Sequence, residues 1–421
     1  MRLRVLVFVL AVLAAIALIG RFAMPVRAPG TSDAGGAPSL EAAIREIDAG
    51  RQTAPLIGEQ PRRGRPSVTF LATRDGGDVP RIVSDATGWG ERPDGTFDYS
   101  AGRMTPVGRT GWYSLETKVE PYARIEYLIA YGAGDYRLDP HNPRKVQRAN
   151  GPASEFVMPG YMPPQEFVDP PMRPAGTVVD TVVESRILKS TRRVIVYTPP
   201  GYQRGVAYPL AVFHDGAMVV NTGEAPRVLD WLIAHRAIEP IVAVFVDPQS
   251  RVADDRRGAP MRAFVTGELL PWIAAHYSVT TDPGERAIIG ISASARGAVD
   301  AAASLESFGR LGLLIPALDP GDVTAVKPRG PRTLRASIVA ATYDTLNLGA
   351  ARAAQLELID KGHDVDFVEV PEGHSTVTWR THLRTVLISL FGSVRPSPPA
   401  ARSPRTAGPL RTGNYPPENP V

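Results

Sequence analysis

RAIIGISASARGAVDAAASL, residues 286–305, is the stretch on which the reading of this chain turns. Arg286 to Ile291 is an apolar run of strand length, rich in β-branched residues. It leads to Ser292, with Gly290 two positions before and Ser294 two positions after, and then into an alanine-rich segment of helical pattern, Ser294 to Leu305. A strand-to-helix turn can hold a serine hydroxyl over a sheet edge only if the turn is tight, and a tight turn needs small residues two positions to either side. Ser292 is therefore a candidate nucleophile. A serine ahead of a helix is also a common N-cap, so this stretch alone leaves both readings open.

Two later strand ends weigh on the choice. The apolar run Ser337 to Thr342 delivers Tyr343 and Asp344, and Asp366 to Val370 delivers Pro371, Glu372, Gly373 and His374. The order serine, acid, histidine is the one that a strand-turn-helix nucleophile of this kind requires. His374 is the candidate general base, and Asp344 the acid that fixes its tautomer and stabilises its cation. Each has a bland alternative: Asp344 as a cap of the following helix, His374 as an exposed loop residue. A third apolar run, Leu210 to Phe213, ends in His214, Asp215, Gly216 and Ala217. Two backbone N–H groups are needed where negative charge develops on the carbonyl oxygen, one after the nucleophile and one after an early strand. These are assigned to Ala293 and Ala217. His214 precedes the serine and so falls outside the required order; it reads as a loop-organising residue.

Around these motifs the rhythm alternates. Candidate strands are Ser185 to Leu188, Arg193 to Tyr197, Leu210 to His214, Ile241 to Val246, Ala287 to Ile291, Leu311 to Pro316, Ser337 to Ala341 and Asp366 to Val370. Candidate helices are Ala225 to Arg236, Met261 to Tyr277, Ser294 to Leu305, Leu348 to Lys361 and Val377 to Phe391. The pattern predicts an α/β domain over 176–392 with a mostly parallel sheet, opened by an antiparallel hairpin. Short β-type runs between 66 and 165, such as Ser67 to Ala72, Ile82 to Ser84, Gly111 to Lys118 and Ala123 to Ala130, predict a small β-sandwich ahead of it. Six prolines between Pro159 and Pro174 (159, 163, 164, 170, 171 and 174) mark the connection. Residues 29–65 read as a linker with one short helix, capped by Ser39 and stopped by Gly50. Residues 393–421, rich in Pro and Arg, read as a disordered tail.

The first residues carry Arg2 and Arg4, and Val5 to Ile19 is an unbroken apolar run ending at Gly20 and Arg21. Residues 1–28 thus read as a signal peptide or membrane anchor, which predicts an exported body: periplasmic, secreted or membrane-attached by its N-terminus. The chain has 421 residues, a formal charge of +4 and no cysteine. Disulfides, a thiolate nucleophile and cysteine-bound metal are excluded. The excess positive charge lies at the two ends, so the sequence predicts no nucleic-acid partner. No helix carries two histidines one turn apart and no phosphate-cradling glycine loop is present. The oligomeric state is left open.

On these motifs the chain resembles the enterochelin-esterase-like esterases. The resemblance runs from roughly Ser67 to Phe391 and rests on YPLAVFHDG (208–216), GELLPWIAAHYSV (267–279), RAIIGIS (286–292), Tyr343–Asp344 and KGHDVDFVEVPEGHSTVTWR (361–380). In the N-terminal part it rests on VTFLATR (68–74), GWYSLE (111–116) and YRLDPHNPRKV (136–146), which are similar to an immunoglobulin-like early-set domain. The resemblance implies an α/β-hydrolase fold and carboxylic ester hydrolysis through an acyl-enzyme, with no cofactor and no metal; the partner it implies is a small-molecule ester, of the siderophore type or an acylated sugar. It also points to Asp215, Gly216, Arg251 and Trp379 as candidate pocket residues, although an aromatic at 379 is more often core. The chain departs from the family at Ser294 and Ala295, where two glycines are usual, and in the loop after Val246, which reads Asp247, Pro248, Gln249, Ser250, Arg251. Two rival functions use the same scaffold: acyl transfer at the cell envelope with the same triad, and non-catalytic binding.

Overall fold

The computed structural model describes residues 39–75, 78–92, 96–98, 100–132, 134–148, 151–248, 258–303 and 305–392. The expected signal or anchor over 1–28, the tail from 393 and the candidate pocket residue Arg251 lie outside them. No helix among the described residues is long and apolar enough to cross a membrane. Of the described residues, 39–52 form a unit of their own. Its helix Leu40–Asp48 begins where the sequence places it, with the Ser39 hydroxyl accepting the Ala42 N–H at 3.3 Å.

From Thr53 on, one compact unit holds three sheets. The first runs β1 (Leu56–Ile57), β2 (Ser67–Thr73), β5 (Trp112–Lys118), β4 (Thr105–Pro106). The second runs β3 (Arg81–Ser84), β6 (Arg124–Ala130), β9 (Gly151–Val157), β8 (Lys145–Arg148), with β7 (Tyr136–Arg137) also on β6. All of their pairings are antiparallel. Val68 and Phe70 from the first sheet and Ile82, Ile125, Tyr127, Ile129 and Phe156 from the second fill one core. Phe70 meets Tyr127 and Phe156 edge-on, at centroid distances of 4.9 and 5.7 Å.

The third sheet has eight strands in the order β10 (Thr177–Ser185), β11 (Ser190–Thr198), β13 (Val242–Val246), β12 (Leu210–His214), β14 (Arg286–Ile291), β15 (Arg310–Leu314), β16 (Arg335–Ala341) and β17 (Asp364–Val370). From β13 to β17 neighbours run parallel, and β10 and β11 form the antiparallel lead-in. Every residue of β12 and β13 is buried, as expected of parallel strands covered on both faces. On one face Val212, Val244, Ile288, Leu313 and Ile338 pack with Phe264, Ala298, Ala354 and Leu358 from three helical segments. On the other, Phe213, Phe245, Ile289 and Val339 pack with Val228, Leu232, Leu383 and Leu387 from helices Ala225–Ala234 and Thr376–Phe391. This is the layering of an α/β-hydrolase-like fold.

Two elements differ from expectation. The first hairpin strand is Thr177–Ser185, not Ser185 to Leu188. The Glu268 carboxylate accepts the N–H groups of Arg186 and Ile187 at 3.0 and 3.3 Å, which draws that segment out of the ladder into a turn. The long helix expected from Met261 to Tyr277 is broken into Gly258–Phe264, a π-helical turn Val265–Leu269 and Leu270–His276. Pro271 has no N–H to continue the ladder, and the wider turn just before it absorbs the mismatch.

A polar seam joins the second sheet to the loop after β17. Arg124, the first residue of β6, is only 2% exposed. Its backbone N–H donates to Pro371 O at 3.3 Å. Its guanidinium donates to Glu126 at 2.9 Å, Glu155 at 3.0 Å, Glu372 at 3.0 Å and the Ser375 hydroxyl at 2.8 Å. Burial works to raise the Glu372 carboxyl, but the His382 hydrogen bond and the Arg124 charge outweigh it and hold the group below the usual carboxylate range. Nearby, Tyr343 donates its hydroxyl to Glu120, which also pairs with Arg65 at 2.6 Å.

Candidate active site

Ser292 leaves β14 with φ +53, in the left-handed region that a non-glycine residue adopts only when its surroundings impose it. The imposing contacts are local. A Cβ at Gly290 would lie 2.6 Å from Ala295 Cα and from Ser294 O, so strand and helix approach too closely there for any side chain. Ser294 turns its hydroxyl back on the strand, donating to Ile291 O at 2.9 Å and accepting from Ile291 N at 2.9 Å. This accounts for the departure from glycine at 294: the side chain is small and its polar atom is fully used. The Ser292 carbonyl accepts the Ala317 N–H, from the loop after β15, at 3.0 Å.

The structure brings the three sequence-predicted residues together. Ser292 Oγ lies 2.7 Å from His374 Nε2, and His374 Nδ1 lies 2.6 Å from Asp344 Oδ2. A carboxylate can only accept, so Nδ1 carries the proton and Nε2 presents its lone pair to the serine hydroxyl. Asp344 and His374 leave the neighbouring strands β16 and β17. Ser292 leaves β14, two strands from β16, with β15 between them. The Asp344 side chain is 5% exposed and that of His374 31%, which leaves the imidazole open to substrate while its acid is shielded.

Asn347 was not singled out by sequence reasoning. Its backbone N–H donates to Asp344 Oδ1 at 3.2 Å, and its side-chain amide spans the carboxylate, donating to Oδ1 at 2.9 Å and to Oδ2 at 3.1 Å, so that Oδ2 is shared with His374. The Asp344 carboxylate thus braces the turn to Asn347 as well as facing His374, while the N-cap of helix Leu348–Asp360 is Asn347 rather than Asp344. The spacing Asp344-Thr-Leu-Asn347 is the signal that could have found it.

The remaining candidates fall in different places. Ala293 follows Ser292 in the short 3₁₀ turn Ser292–Ser294 at the head of helix Ala295–Ala302, where backbone N–H groups point away from the helix. The Ala217 N–H donates to the Asp247 carboxylate, whose other oxygen lies 3.4 Å from Arg193 Nη1. An oxyanion role for Ala217 therefore requires Asp247 to move. Asp215 is buried at φ +61, and Gly216 lies so close to the β13 backbone that a Cβ would be 2.7 Å from Phe245 C. Trp379 is 3% exposed in the core, and a Cβ at Gly223 would come within 2.5 Å of its ring. Asp215, Gly216 and Trp379 are not among the residues that line the cleft at His374; Asp215 instead lines a small cavity with His214 and Ser294.

That cleft has a volume of about 800 Å³. Tyr343, Asp344, Asn347 and His374 form one wall, and the opposite wall comes from the β-rich part, with Trp89, Phe97, Tyr136 and Arg148. The Arg148 guanidinium lies over the Trp89 ring, 4.2 Å from its centroid, and Trp89 Nε1 donates to Asp85 at 2.9 Å. Sequence reasoning missed this wall, because isolated aromatics in short β-type runs carry no local mark of a binding surface. Asp85 itself is buried; burial and the neighbouring Glu126 push its carboxyl up to about 7, against hydrogen bonds from the Glu126 N–H and Trp89.

Residues 185–390 match the family described as Putative esterase. Iron(III) enterobactin esterase of Escherichia coli O6:H1 is 26% identical over 275 residues, 60% of this chain and 67% of that protein. Among solved structures, ferric enterobactin esterase from Salmonella typhimurium superposes with a TM-score of 0.62 at 20% identity, covering 80% of this chain and 96% of that one. Enterobactin esterase from Shigella flexneri, solved in the presence of enterobactin, gives 0.61 at 18% identity, covering 80% and 96%. The likeness of these structures is one of fold. The resemblance to the enterochelin-esterase-like esterases drawn from the motifs holds.

Proposed function

We propose that this chain, a member of the esterase family that matches its residues 185–390, hydrolyses carboxylic esters through an acyl-enzyme on Ser292. Ester hydrolysis is the activity in the printed names of the family and of its relatives. The observation that carries the serine mechanism is the relay from Ser292 through His374 to Asp344, with contacts of 2.7 and 2.6 Å; its histidine and acid line a cleft of about 800 Å³. Ser292 Oγ attacks the ester carbon as its proton passes to His374 Nε2, and Asp344 stabilises the resulting imidazolium. The tetrahedral oxyanion faces the N–H of Ala293, joined by that of Ala217 once Asp247 releases it. Collapse expels the alcohol, which takes the proton from His374. A water molecule, deprotonated by the same imidazole, then cleaves the acyl-serine ester.

The substrate in this reading is a bulky, siderophore-type ester. Its support is the size of the cleft, its aromatic lining, the guanidinium of Arg148 and the enterobactin esterases among the relatives. We read the β-rich part as an immunoglobulin-like domain that helps to hold this substrate, and the N-terminal segment as an export signal or anchor, which fractionation of cells expressing the full chain would test.

A fluorophosphonate probe tests the mechanism. Wild type should take up one label per chain on Ser292, and Ser292→Ala none. Absence of label on folded wild type would favour the non-catalytic reading, whereas label that persists in Ser292→Ala and vanishes in Ser294→Ala would displace the nucleophile. Turnover of a tri-catecholate lactone, feruloyl esters and short acyl esters, with and without an acceptor alcohol, separates substrates and separates hydrolysis from acyl transfer.

A further inference from the structure

We infer that Arg124, in the β-rich part of the chain, is a positioning residue for the catalytic base: it acts through Glu372 and Ser375, which bracket Gly373 and His374, to set where the imidazole sits. The inference rests on the serine mechanism proposed above.

One guanidinium holds both ends of the four-residue turn. Nε donates to Glu372 Oε2 at 3.0 Å, on the strand side of His374, and Nη2 donates to Ser375 Oγ at 2.8 Å, on the helix side. The backbone of the same residue donates to Pro371 O at 3.3 Å, which fixes the level at which the turn leaves β17. From Ser375 the restraint passes into the helix that follows, since Ser375 Oγ accepts the Thr378 N–H at 3.3 Å and Thr378 Oγ1 donates back to Gly373 O at 2.8 Å. The turn is also pressed from the β-rich side. A Cβ at Gly373 would lie 1.8 Å from Asp85 Oδ1, so the backbone next to His374 rests directly on an Asp85 side chain that the Glu126 N–H holds at 2.7 Å.

The chemistry of the clamp argues for placement rather than for packing alone. A buried guanidinium and its carboxylates lose their hydration, and a well-packed apolar side chain would often stabilise the fold as well or better. What an apolar residue cannot supply is a set of directed donors spanning Glu372 and Ser375 in a planar fork. Glu372 is in turn held by His382 Nε2 at 2.8 Å, so the far side of the clamp is anchored to helix Thr376–Phe391. The imidazole depends on that placement, because it must reach Ser292 and Asp344 at once. Displacement of a catalytic group by about 1 Å can cost about 100-fold in rate.

The test measures p-nitrophenyl butyrate hydrolysis and the second-order rate of fluorophosphonate labelling for Arg124→Met, Arg124→Lys, Glu372→Gln and the double variant Arg124→Met/Glu372→Gln. Arg124→Met should lower kcat about 100-fold with KM changed by less than about threefold, and should slow labelling by the same factor. Arg124→Lys, which keeps the charge and one directed contact, should recover about a tenth of the wild-type rate. If Arg124 acts through Glu372, the double variant should be no slower than the slower single variant, within about threefold. The idea is overturned if folded Arg124→Met keeps its kcat, if the loss lies wholly in KM, or if the two single losses multiply in the double variant. Should Arg124→Met fail to fold, Arg124→Lys and Glu372→Gln decide alone: both slow with unchanged KM supports the clamp, both at wild-type rate ends it. Wild type and Ser292→Ala run beside them; a labelled Ser292→Ala would mean that the serine assignment, not the clamp, has failed.

Discussion

Ser292 sits in a turn whose shape is set by residues within three positions of it. His374 sits in a turn tied to a strand that enters the chain 248 residues before Glu372. The two side chains meet at a single hydrogen bond of 2.7 Å, yet one is placed by steric exclusion among Gly290, Ser294 and Ala295 and the other by charge, hydrogen bonds and a close backbone approach from another sheet. The difference teaches that a relay of this kind joins a rigid, locally encoded element to one that borrows its position. Disturbance of the borrowed half should leave a well-formed nucleophile with a misplaced base.

The largest expected effect comes from spoiling the borrowed half chemically. Asp344→Asn presents an amide to Nδ1 and favours the wrong tautomer, so kcat should fall by about 10⁴-fold in a steady-state assay while the protein remains folded. Retention of more than a tenth of the activity would mean that Asn347 or another group orients the imidazole. Next in size is the pH dependence of the support. With Asp85 raised from 3.8 to about 7, the unfolded chain releases this proton at a lower pH than the folded chain does. Stability from this group is therefore full below about pH 4 and is lost as pH rises to about 7, a fall on the order of 2–4 kcal/mol. Urea midpoints at pH 5 and pH 8 read it, and Asp85→Ala should be less stable at pH 5 but should lose this part of the slope. An unchanged slope in Asp85→Ala would place the proton uptake elsewhere.

The local half is tested by smaller changes. Gly290→Ala sets a methyl group against the Ala295 backbone and should cost about 1–3 kcal/mol in a denaturant titration, with labelling of Ser292 slowed in step. Full stability there would show that the elbow can open. Ser294→Ala leaves the Ile291 N–H without its acceptor and should cost about 1–2 kcal/mol, with Ser292 still labelled. Of the two, the glycine change should harm labelling more, because it moves the turn itself.

The same contrast explains what the sequence could tell. Steric rules over five residues are visible in one dimension, so Gly290, Ser292 and Ser294 could be read directly, and the strand ends at Asp344 and His374 followed from apolar runs that stop at loops. Most strands and helices of the eight-stranded part fall within a few residues of their expected places for the same reason. The hairpin strand Thr177–Ser185 was missed because a side chain from elsewhere, Glu268, decides where its ladder stops. The aromatic wall of the cleft was illegible because it forms only when the β-rich sheets meet the ends of β16 and β17. Arg124 did leave a trace: RIEYLIA, residues 124–130, carries two charged residues in a strand that is otherwise buried, and such charges are tolerated only when paired. The sequence did not show with what.

The seam around Arg124 bears on how this protein can be cut and recombined. A chain beginning near Pro174 would keep every strand of the eight-stranded sheet and the whole Ser292–His374–Asp344 relay. It would nevertheless leave Glu372 without its guanidinium and strip one wall from the cleft. On the proposed mechanism, such a fragment would not be a portable catalytic cassette. On the same reading, exchange of specificity between relatives would have to carry the β-rich part and the histidine turn across together, as a single inherited block.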